Sequence, residues 1–261
     1  MFDFHIHSDV SFDSKTPAID IARAAAKNGM REICFTDHWD YLPNKNDKHD
    51  IFSLDDYAKA YDSLKVEGLT VRRGIELGFN EWNTEDCESV LKKRNFDFVI
   101  GSVHYADGID PYFPEYWEGK DVNTAYMRYL EQELKCIKVH NDFDVLGHLT
   151  YVCKSPCNPF HAPLRYDECA DIADEIMRIL VARGKGMEIN TSGVDRGVDF
   201  IPSADFLKRF RELGGEIVTI GSDAHDDVRV GQHCSAAMEI AKDIFGYVCT
   251  FENRQPVFHK L

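Results

Sequence analysis

Residues 2–8 read FDFHIHS, an apolar segment typical of a buried β-strand, with two histidines at its end. His5 and His7 are two residues apart, so their side chains point to the same side of an extended backbone and can bind one ion. The same pattern, an apolar segment that ends in a histidine or an acidic residue, recurs along the chain. The other examples are ICFTDHW (33–39), VRRGIELG (71–78), FVIGSVHY (98–105), DVLGHLT (144–150) and IVTIGSDAH (217–225).

Strand-like segments alternate with amphipathic helical stretches over the whole chain, from residue 2 to the strand-like YVCTF at 247–251. This alternation predicts parallel βαβ units, and seven or eight of them predict an α/β fold, a distorted TIM-like (β/α)7 barrel. An open doubly wound sheet is the alternative, although its site would draw on fewer strands. No linker or repeat interrupts the pattern, so we expect a single domain over residues 1–261. Glu133 is expected on an exposed helix face.

The composition excludes several classes of protein. A net charge of -15 argues against a nucleic-acid-binding surface, which needs clustered lysine and arginine. Neither a signal peptide nor an apolar run of about 18 residues is visible, so we expect a cytoplasmic protein without a membrane span. The eight cysteines are scattered and are expected to be reduced. Cys153 and Cys157, in CKSPC, lack the CxxC spacing of a structural zinc site and are predicted to be ordinary loop thiols.

The histidines and acids at the strand ends predict a metal site, because the carboxyl ends of barrel strands meet at one rim. The set is too large for one ion, which indicates a multinuclear metallohydrolase. It comprises His5, His7, His38, His104, His148, His225, Glu76 and Asp223. Glu76 can bridge two cations through its two oxygens. Asp37 should point away from its neighbour His38 and is expected to orient an imidazole.

Other polar residues are less specific. Glu188 and Asn190, in MEINTSG, fit either a ligand contact or a polar layer inside the barrel. Two long loops, residues 38–52 and 149–168, are expected to build a substrate pocket. The remaining histidines lack a strand-end position and are expected in loops or on the surface; they are His49, His140, His161, His233 and His259.

In this order, HIHS, TDH, an isolated glutamate after the third strand, SVH, GH and GSDAH resemble the polymerase-and-histidinol-phosphatase (PHP) superfamily. GSVHYADGIDPYF (101–113) and EINTSG (188–193) resemble its histidinol-phosphatase branch. The resemblance extends from residue 2 to about residue 250. It implies a distorted barrel of seven βα units with a trinuclear metal centre. The length of the ligand list itself predicts about two to three divalent ions per chain, of Zn, Mn or Fe.

The resemblance also implies a distribution of ligands. Carried over by motif, the sets are His5, His7, Glu76 and Asp223 for the first ion, Glu76, His104 and His148 for the second, and Asp13, His38 and His225 for the third. The chain departs from the family pattern at two positions. Asp13 stands where some relatives have histidine, which favours Mn or Fe there, and Thr150 stands where many relatives have aspartate.

The ligand set suits phosphoester hydrolysis, since two close cations make a water nucleophilic near neutral pH and neutralise phosphoryl charge. We predict a phosphatase acting on L-histidinol phosphate, with Glu76, Asp223 and Arg196 in catalysis. Arg196 and Arg165 are predicted to contact the phosphate. Acidic and aromatic residues near the ligands, Asp107 and Tyr105 among them, are predicted to contact the cationic end of the substrate. The leaving-group acid is open between a metal-bound water and a carboxylic acid.

Two other interpretations remain. The chain fits a phosphoesterase for another small substrate, such as a nucleotide, a sugar phosphate or phosphotyrosine. It also fits a metal-binding or proofreading-type module of a larger assembly, although the intact ligand set argues against this. The expected partner is a small phosphomonoester, without nucleic acid or membrane, and the sequence does not predict an oligomeric state.

Overall fold

Short apolar strands alternate with amphipathic helices in the computed structural model, which describes residues 1–42 and 50–261. His49 and the middle of the first long loop lie outside the described residues. The strands are β1 (Phe2–Ile6), β2 (Glu32–Phe35), β3 (His38–Asp40), β4 (Asp50–Ile51), β5 (Thr70–Gly78), β6 (Phe98–Ser102), β7 (Val145–Leu146), β8 (Gly186–Asn190), β9 (Val218–Gly221), β10 (Tyr247–Glu252) and β11 (Gln255–Lys260). The helices are α1 (Ala18–Lys27), α2 (Leu54–Tyr61), α3 (Thr84–Lys93), α4 (Pro114–Trp117), α5 (Val122–Val139), α6 (Ala170–Ala182), α7 (Ala204–Glu212) and α8 (Cys234–Phe245).

Seven parallel strands form the barrel, in the order β1-β2-β5-β6-β7-β8-β9. A parallel bridge between Ile6 and Ala224 joins the two ends of this sheet. The second barrel strand is interrupted, since β2 and β3 both pair with β5, in the registers Phe35↔Arg73 and His38↔Glu76. The predicted (β/α)7 barrel is therefore confirmed.

The helices bury one stripe each against the strands. In α1 the buried side chains are Ala18, Ile21, Ala22 and Ala25, at the three- and four-residue spacing of one helix face. The core also contains large apolar side chains such as Phe4, Phe35 and Phe98, which are fully buried. Each such phenylalanine contributes roughly 1.5–3 kcal/mol through burial, so the barrel is a rigid support for its loops.

Two polar residues near α5 are buried, and for Glu133 the expected exposed position is wrong. Glu133 is fully buried, because it follows the buried Tyr129 by four residues and so lies on the same helix face. His140 is also buried, with its ring stacked on Phe79 at a centroid distance of 3.9 Å.

The segment 247–251 is a strand, but it is not an eighth barrel strand. It lies in β10, which pairs antiparallel with β11 across a two-residue turn. Both turn residues, Asn253 and Arg254, have positive φ (50° and 64°), as a type I′ hairpin turn requires. The hairpin covers the amino end of the barrel, where Phe251 packs on Phe98 at 4.8 Å.

No helix in the described part of the chain is long and apolar enough to span a membrane. All eight cysteines lie within the described residues and are unpaired. Cys153 is buried, and its Sγ accepts a hydrogen bond from the Leu164 N–H, as expected of an ordinary thiol.

Candidate metal centre

Glu76 lies at the centre of a cluster at the carboxyl end of the barrel. One carboxylate oxygen, Oε2, is 3.1 Å from His5 Nε2 and 3.0 Å from His38 Nδ1. The other, Oε1, is 3.0 Å from His148 Nε2 and 3.3 Å from His104 Nε2. Glu76 is fully buried, so a single carboxylate faces imidazoles from four strand ends.

A second group of side chains continues the cluster toward solvent. His7 Nε2 is 3.3 Å from Asp223 Oδ1, and the His7 ring stacks on that of His225 at 4.2 Å. Asp13 Oδ2 is 2.8 Å from His225 Nε2 and 3.5 Å from His38 Nε2. The structure thus brings together all nine residues that the sequence analysis proposed as metal ligands.

The geometry of this cluster fits divalent cations. Four groups have ligand atoms that all lie within 4.8 Å of one another: His5/His7/Asp223, His5/Glu76/His148, His7/His38/His225 and His38/Asp40/His104. Among the nine candidate ligands, five buried atoms make no hydrogen bond to a described residue: His5 Nε2, His7 Nε2, His38 Nδ1, Glu76 Oε2 and His148 Nδ1. Unsatisfied buried polar atoms cost about 1–3 kcal/mol each, and converging nitrogen and oxygen lone pairs are what such cations satisfy.

Burial and neighbouring charges set the ionisation of the cluster. Burial favours the neutral form of Glu76, but His5, His38 and His104 hold its pKa well below the ordinary value. Burial would lower the pKa of His38, but Glu76, Asp13 and Asp40 raise it to about 9. For His7, burial and then the charges of His225 and His38 lower the pKa. The carboxylates of the cluster are therefore anionic at neutral pH and suited to cations.

Next to His38, the carboxylate that contacts imidazoles is Asp40 and not, as predicted, Asp37. Asp37 accepts hydrogen bonds from the Ser8 N–H (2.8 Å) and from the hydroxyl of Tyr61. Asp40 Oδ2 lies 3.0 Å from His104 Nδ1 and 3.4 Å from His38 Nδ1. The reason is the alternation of β3, which places residues 38 and 40 on the same side.

Glu188 faces the barrel interior and contacts the cluster. Its Oε1 is 2.6 Å from His5 Nδ1, which leaves Nε2 of that ring directed toward Glu76. Its Oε2 accepts hydrogen bonds from the His148 N–H (2.8 Å) and the Asn190 side chain (3.2 Å). Glu188 therefore fixes two candidate ligands at once, as carboxylates behind metal-binding histidines do.

A cavity of about 380 Å³ opens above the cluster. Besides the candidate ligands, its lining includes Tyr105, Asp110, Tyr112, Lys154, Arg196 and Arg229. Of the predicted substrate contacts, Tyr105 and Arg196 thus lie in the cavity wall. Arg165 does not line it, because its side chain is 69% exposed and extends toward Asp167. Asp107 does not line it either, since it lies in an exposed turn with a φ of 53°.

Lys154 is a cavity residue that the sequence analysis missed. Its side chain is only 11% exposed, and its Nζ donates to Asp223 and to Ser192 Oγ (3.0 Å). Burial would lower the pKa of Lys154, but Asp223 raises it, so the ammonium is charged. The sequence feature that could have identified Lys154 is its position in the second long loop, which was predicted to build the pocket. Thr150, in the same loop, is buried and does not line the cavity.

Comparison with known proteins places this site in a family. The chain is 30% identical to a probable histidinol-phosphatase of Clostridium acetobutylicum over 260 residues, which is 99% of this chain and 96% of that one. It is 31% identical to the histidinol-phosphatase of Lactococcus lactis over 231 residues, covering 85% and 83%. The crystal structure of histidinol phosphate phosphatase from Lactococcus lactis, complexed with zinc, L-histidinol and phosphate, matches with a TM-score of 0.87, 27% identity and 98% coverage of both chains. The model of the PHP domain family matches residues 3–192, and the chain belongs to that family.

Proposed function

We propose that the protein is a metal-dependent phosphomonoesterase that hydrolyses L-histidinol phosphate to L-histidinol and inorganic phosphate, a cytoplasmic step of histidine biosynthesis. The observation that carries this proposal is one cavity that combines the imidazole–carboxylate cluster with three cationic side chains, Lys154, Arg196 and Arg229, and a carboxylate, Asp110. The relatives named histidinol-phosphatase, and the matching structure that contains L-histidinol and phosphate, support the choice of substrate.

The proposal includes about two to three divalent ions, of Zn, Mn or Fe, held by the nine clustered side chains. When bound, such ions supply Lewis-acid charge and lower the pKa of water. Glu76 has its two oxygens directed at different imidazoles, so it is the residue placed to serve two ions. Glu188 and Asp40 hold His5 and His104 in the orientation that directs one ring nitrogen of each inward.

Lys154 and Arg196 are the proposed phosphate contacts. Both line the cavity, and the Arg196 guanidinium donates to the Tyr112 hydroxyl at 3.0 Å, which holds it at the cavity wall. A nearly buried ammonium acts through a medium of low dielectric, where its attraction for a phosphoryl group is strong. The guanidinium adds planar donors that match phosphate oxygens.

Asp110 is the proposed contact for the cationic end of the substrate. Its Oδ1 accepts hydrogen bonds from the Tyr112 N–H (2.8 Å) and the Tyr151 hydroxyl (3.1 Å), so its carboxylate is fixed at the cavity wall. Histidinol carries an ammonium and an imidazole, which match a carboxylate between aromatic rings. This contact replaces the one predicted for Asp107.

Steady-state kinetics on a panel of phosphomonoesters tests the proposal. Under one metal condition, we expect kcat/KM for histidinol phosphate to exceed that for an aryl phosphate, a nucleotide or a sugar phosphate by at least about tenfold, since remote contacts position the phosphorus. Asp110→Asn should lower kcat/KM for histidinol phosphate while leaving the aryl phosphate nearly unchanged. If histidinol phosphate ranks no better than the others, the substrate assignment is wrong.

A further inference from the structure

The loop that carries Arg196 is tied to a second loop outside the cavity. Arg196 ends a short 3-10 turn, Val194–Arg196, which follows β8. The preceding residue, Asp195, has its Oδ1 2.9 Å from His233 Nε2, and the same oxygen accepts a hydrogen bond from Gln232 Nε2 at 3.1 Å. The two loops are therefore joined by one carboxylate with two partners.

The second loop is itself anchored to the barrel. The Gly231 N–H donates to Oδ2 of the fully buried Asp3 in β1, at 2.8 Å. The Gln232 carbonyl accepts a hydrogen bond from the Thr191 hydroxyl, at 2.7 Å. Gln232 and His233 thus extend from a backbone segment that is fixed on both sides, and they give Asp195 a rigid support.

His233 is an unusual residue for its position, both in its backbone conformation and as the N-cap of a helix. It is the N-cap of α8 and has a φ of 59°, in the left-handed region that few residues other than glycine and asparagine adopt readily. N-cap positions favour serine, threonine, aspartate or asparagine, yet the His233 side chain makes no capping hydrogen bond and extends to Asp195 instead. A residue that departs from both preferences points to a requirement for its side chain.

We propose that Asp195, held by Gln232 and His233, is a positioning residue that presents the Arg196 guanidinium to the phosphoryl group. This inference rests on the proposed function, in which Arg196 contacts phosphate. Arg196 is then fixed at two points, its backbone through Asp195 and its guanidinium through Tyr112. An arginine fixed in this way loses less conformational freedom when the substrate binds, so more of its interaction reaches the transition state.

A double-mutant cycle on kcat/KM for histidinol phosphate tests the coupling. We expect Arg196→Ala to lower kcat/KM about ten- to a thousandfold, as loss of one charge-assisted contact does. Asp195→Ala should lower it about three- to tenfold, and should have almost no further effect in the Arg196→Ala background. Asp142→Ala, which removes an exposed carboxylate that pairs with Arg254 at the far end of the barrel, is the matched control and should leave kcat/KM unchanged.

His233→Asn separates positioning from a structural role. Asparagine tolerates the left-handed backbone and caps helices well, but it is too short to reach Asp195. We expect the thermal midpoint to stay the same or rise while kcat/KM falls, though by less than in Asp195→Ala, because Gln232 still contacts the carboxylate. If Arg196→Ala alone has no effect, the proposed phosphate contact fails. If Arg196→Ala is damaging but Asp195→Ala is neutral, or its effect simply adds to that of Arg196→Ala, the positioning role is wrong.

Discussion

The two ends of the barrel both contain buried carboxylates, but they pair them with different cations. At the carboxyl end, Glu76 and Asp223 face imidazoles. At the amino end, Asp144 accepts from Arg254 Nε at 2.6 Å and Glu32 accepts from Arg72 Nε at 2.6 Å. Buried carboxylates have nitrogen-containing partners at both ends, so burial of acids alone does not distinguish the site.

The two ends differ in whether the nitrogen-containing partner can lose its proton. An arginine keeps its proton at every physiological pH, so the pairs at the amino end are permanent links between strand starts and the hairpin. An imidazole can lose its proton and then offers a lone pair to a metal ion. The carboxyl end can therefore exchange protons for cations, whereas the amino end can only stabilise the fold.

The largest expected effect is at Glu76. Glu76→Gln keeps the shape of the side chain but removes the charge that serves two proposed ions. We expect kcat/KM to fall by at least about a thousandfold with the far-ultraviolet circular dichroism unchanged. Elemental analysis should find about two to three divalent ions per wild-type chain and fewer in the variant. Glu252→Gln, at a half-exposed partner of Arg72, is the control at the amino end. Near-normal turnover in the Glu76 variant would remove it from the centre.

The next largest effect is at the amino end, where we expect a change to lower stability and not activity. Asp144→Ala removes the acceptor of both the Val99 N–H (2.8 Å) and Arg254, and it should destabilise the fold by about 2–4 kcal/mol. The folded fraction should keep its kcat/KM, because no cavity residue moves. Urea denaturation and activity per folded molecule measure the two quantities. If activity per folded molecule falls together with the free energy of unfolding, the two ends do not have separate roles.

The smallest effect is expected at Glu133, a buried carboxyl group that pairs with neither an imidazole nor an arginine among the described residues. Both oxygens of Glu133 lack a hydrogen bond to any described residue, and burial raises its pKa well above the ordinary value. The folded protein therefore holds a proton that the unfolded chain loses above its pKa of about 4.3, so stability falls as pH rises through and beyond that value. Glu133→Gln should be more stable than the wild type by about 1–2 kcal/mol at pH 8, and nearly equal to it at pH 5. The same pH dependence of urea denaturation in both proteins would contradict this.

The sequence predicted the features that depend on local periodicity. Strand ends are visible from apolar segments, and two-residue spacing places His5 beside His7, so the rim residues followed from the barrel alone. Their role as ligands stays a prediction. The same spacing rule, applied to His38 and Asp40, would have identified Asp40.

The remaining features depend on tertiary structure. Lys154 reaches the cavity only because of the path of a long loop, which no periodic pattern describes. Arg165, in the same loop, points to solvent for the same reason. Glu133 has a polar side chain on a buried helix face, and the hydrophobic pattern of the sequence does not predict that a polar residue is buried there. The contact between Asp195 and His233 joins residues 38 positions apart, in two separate loops.

The bridge between Ile6 and Ala224 has a consequence for biosynthesis. His5 and His7 emerge first from the ribosome, but Asp223 and His225 emerge only after most of the chain has been made. The Asp223 N–H then donates to the His5 carbonyl at 2.8 Å, which joins the first strand to the last. The nascent chain therefore cannot bring all nine side chains together before β9 docks, and a protein stalled upstream of that strand would lack Asp223, whose Oδ1 lies 3.3 Å from His7 Nε2. Under the proposed function, complete loading of the cluster with cations would therefore require that translation has passed β9 and that the sheet has closed.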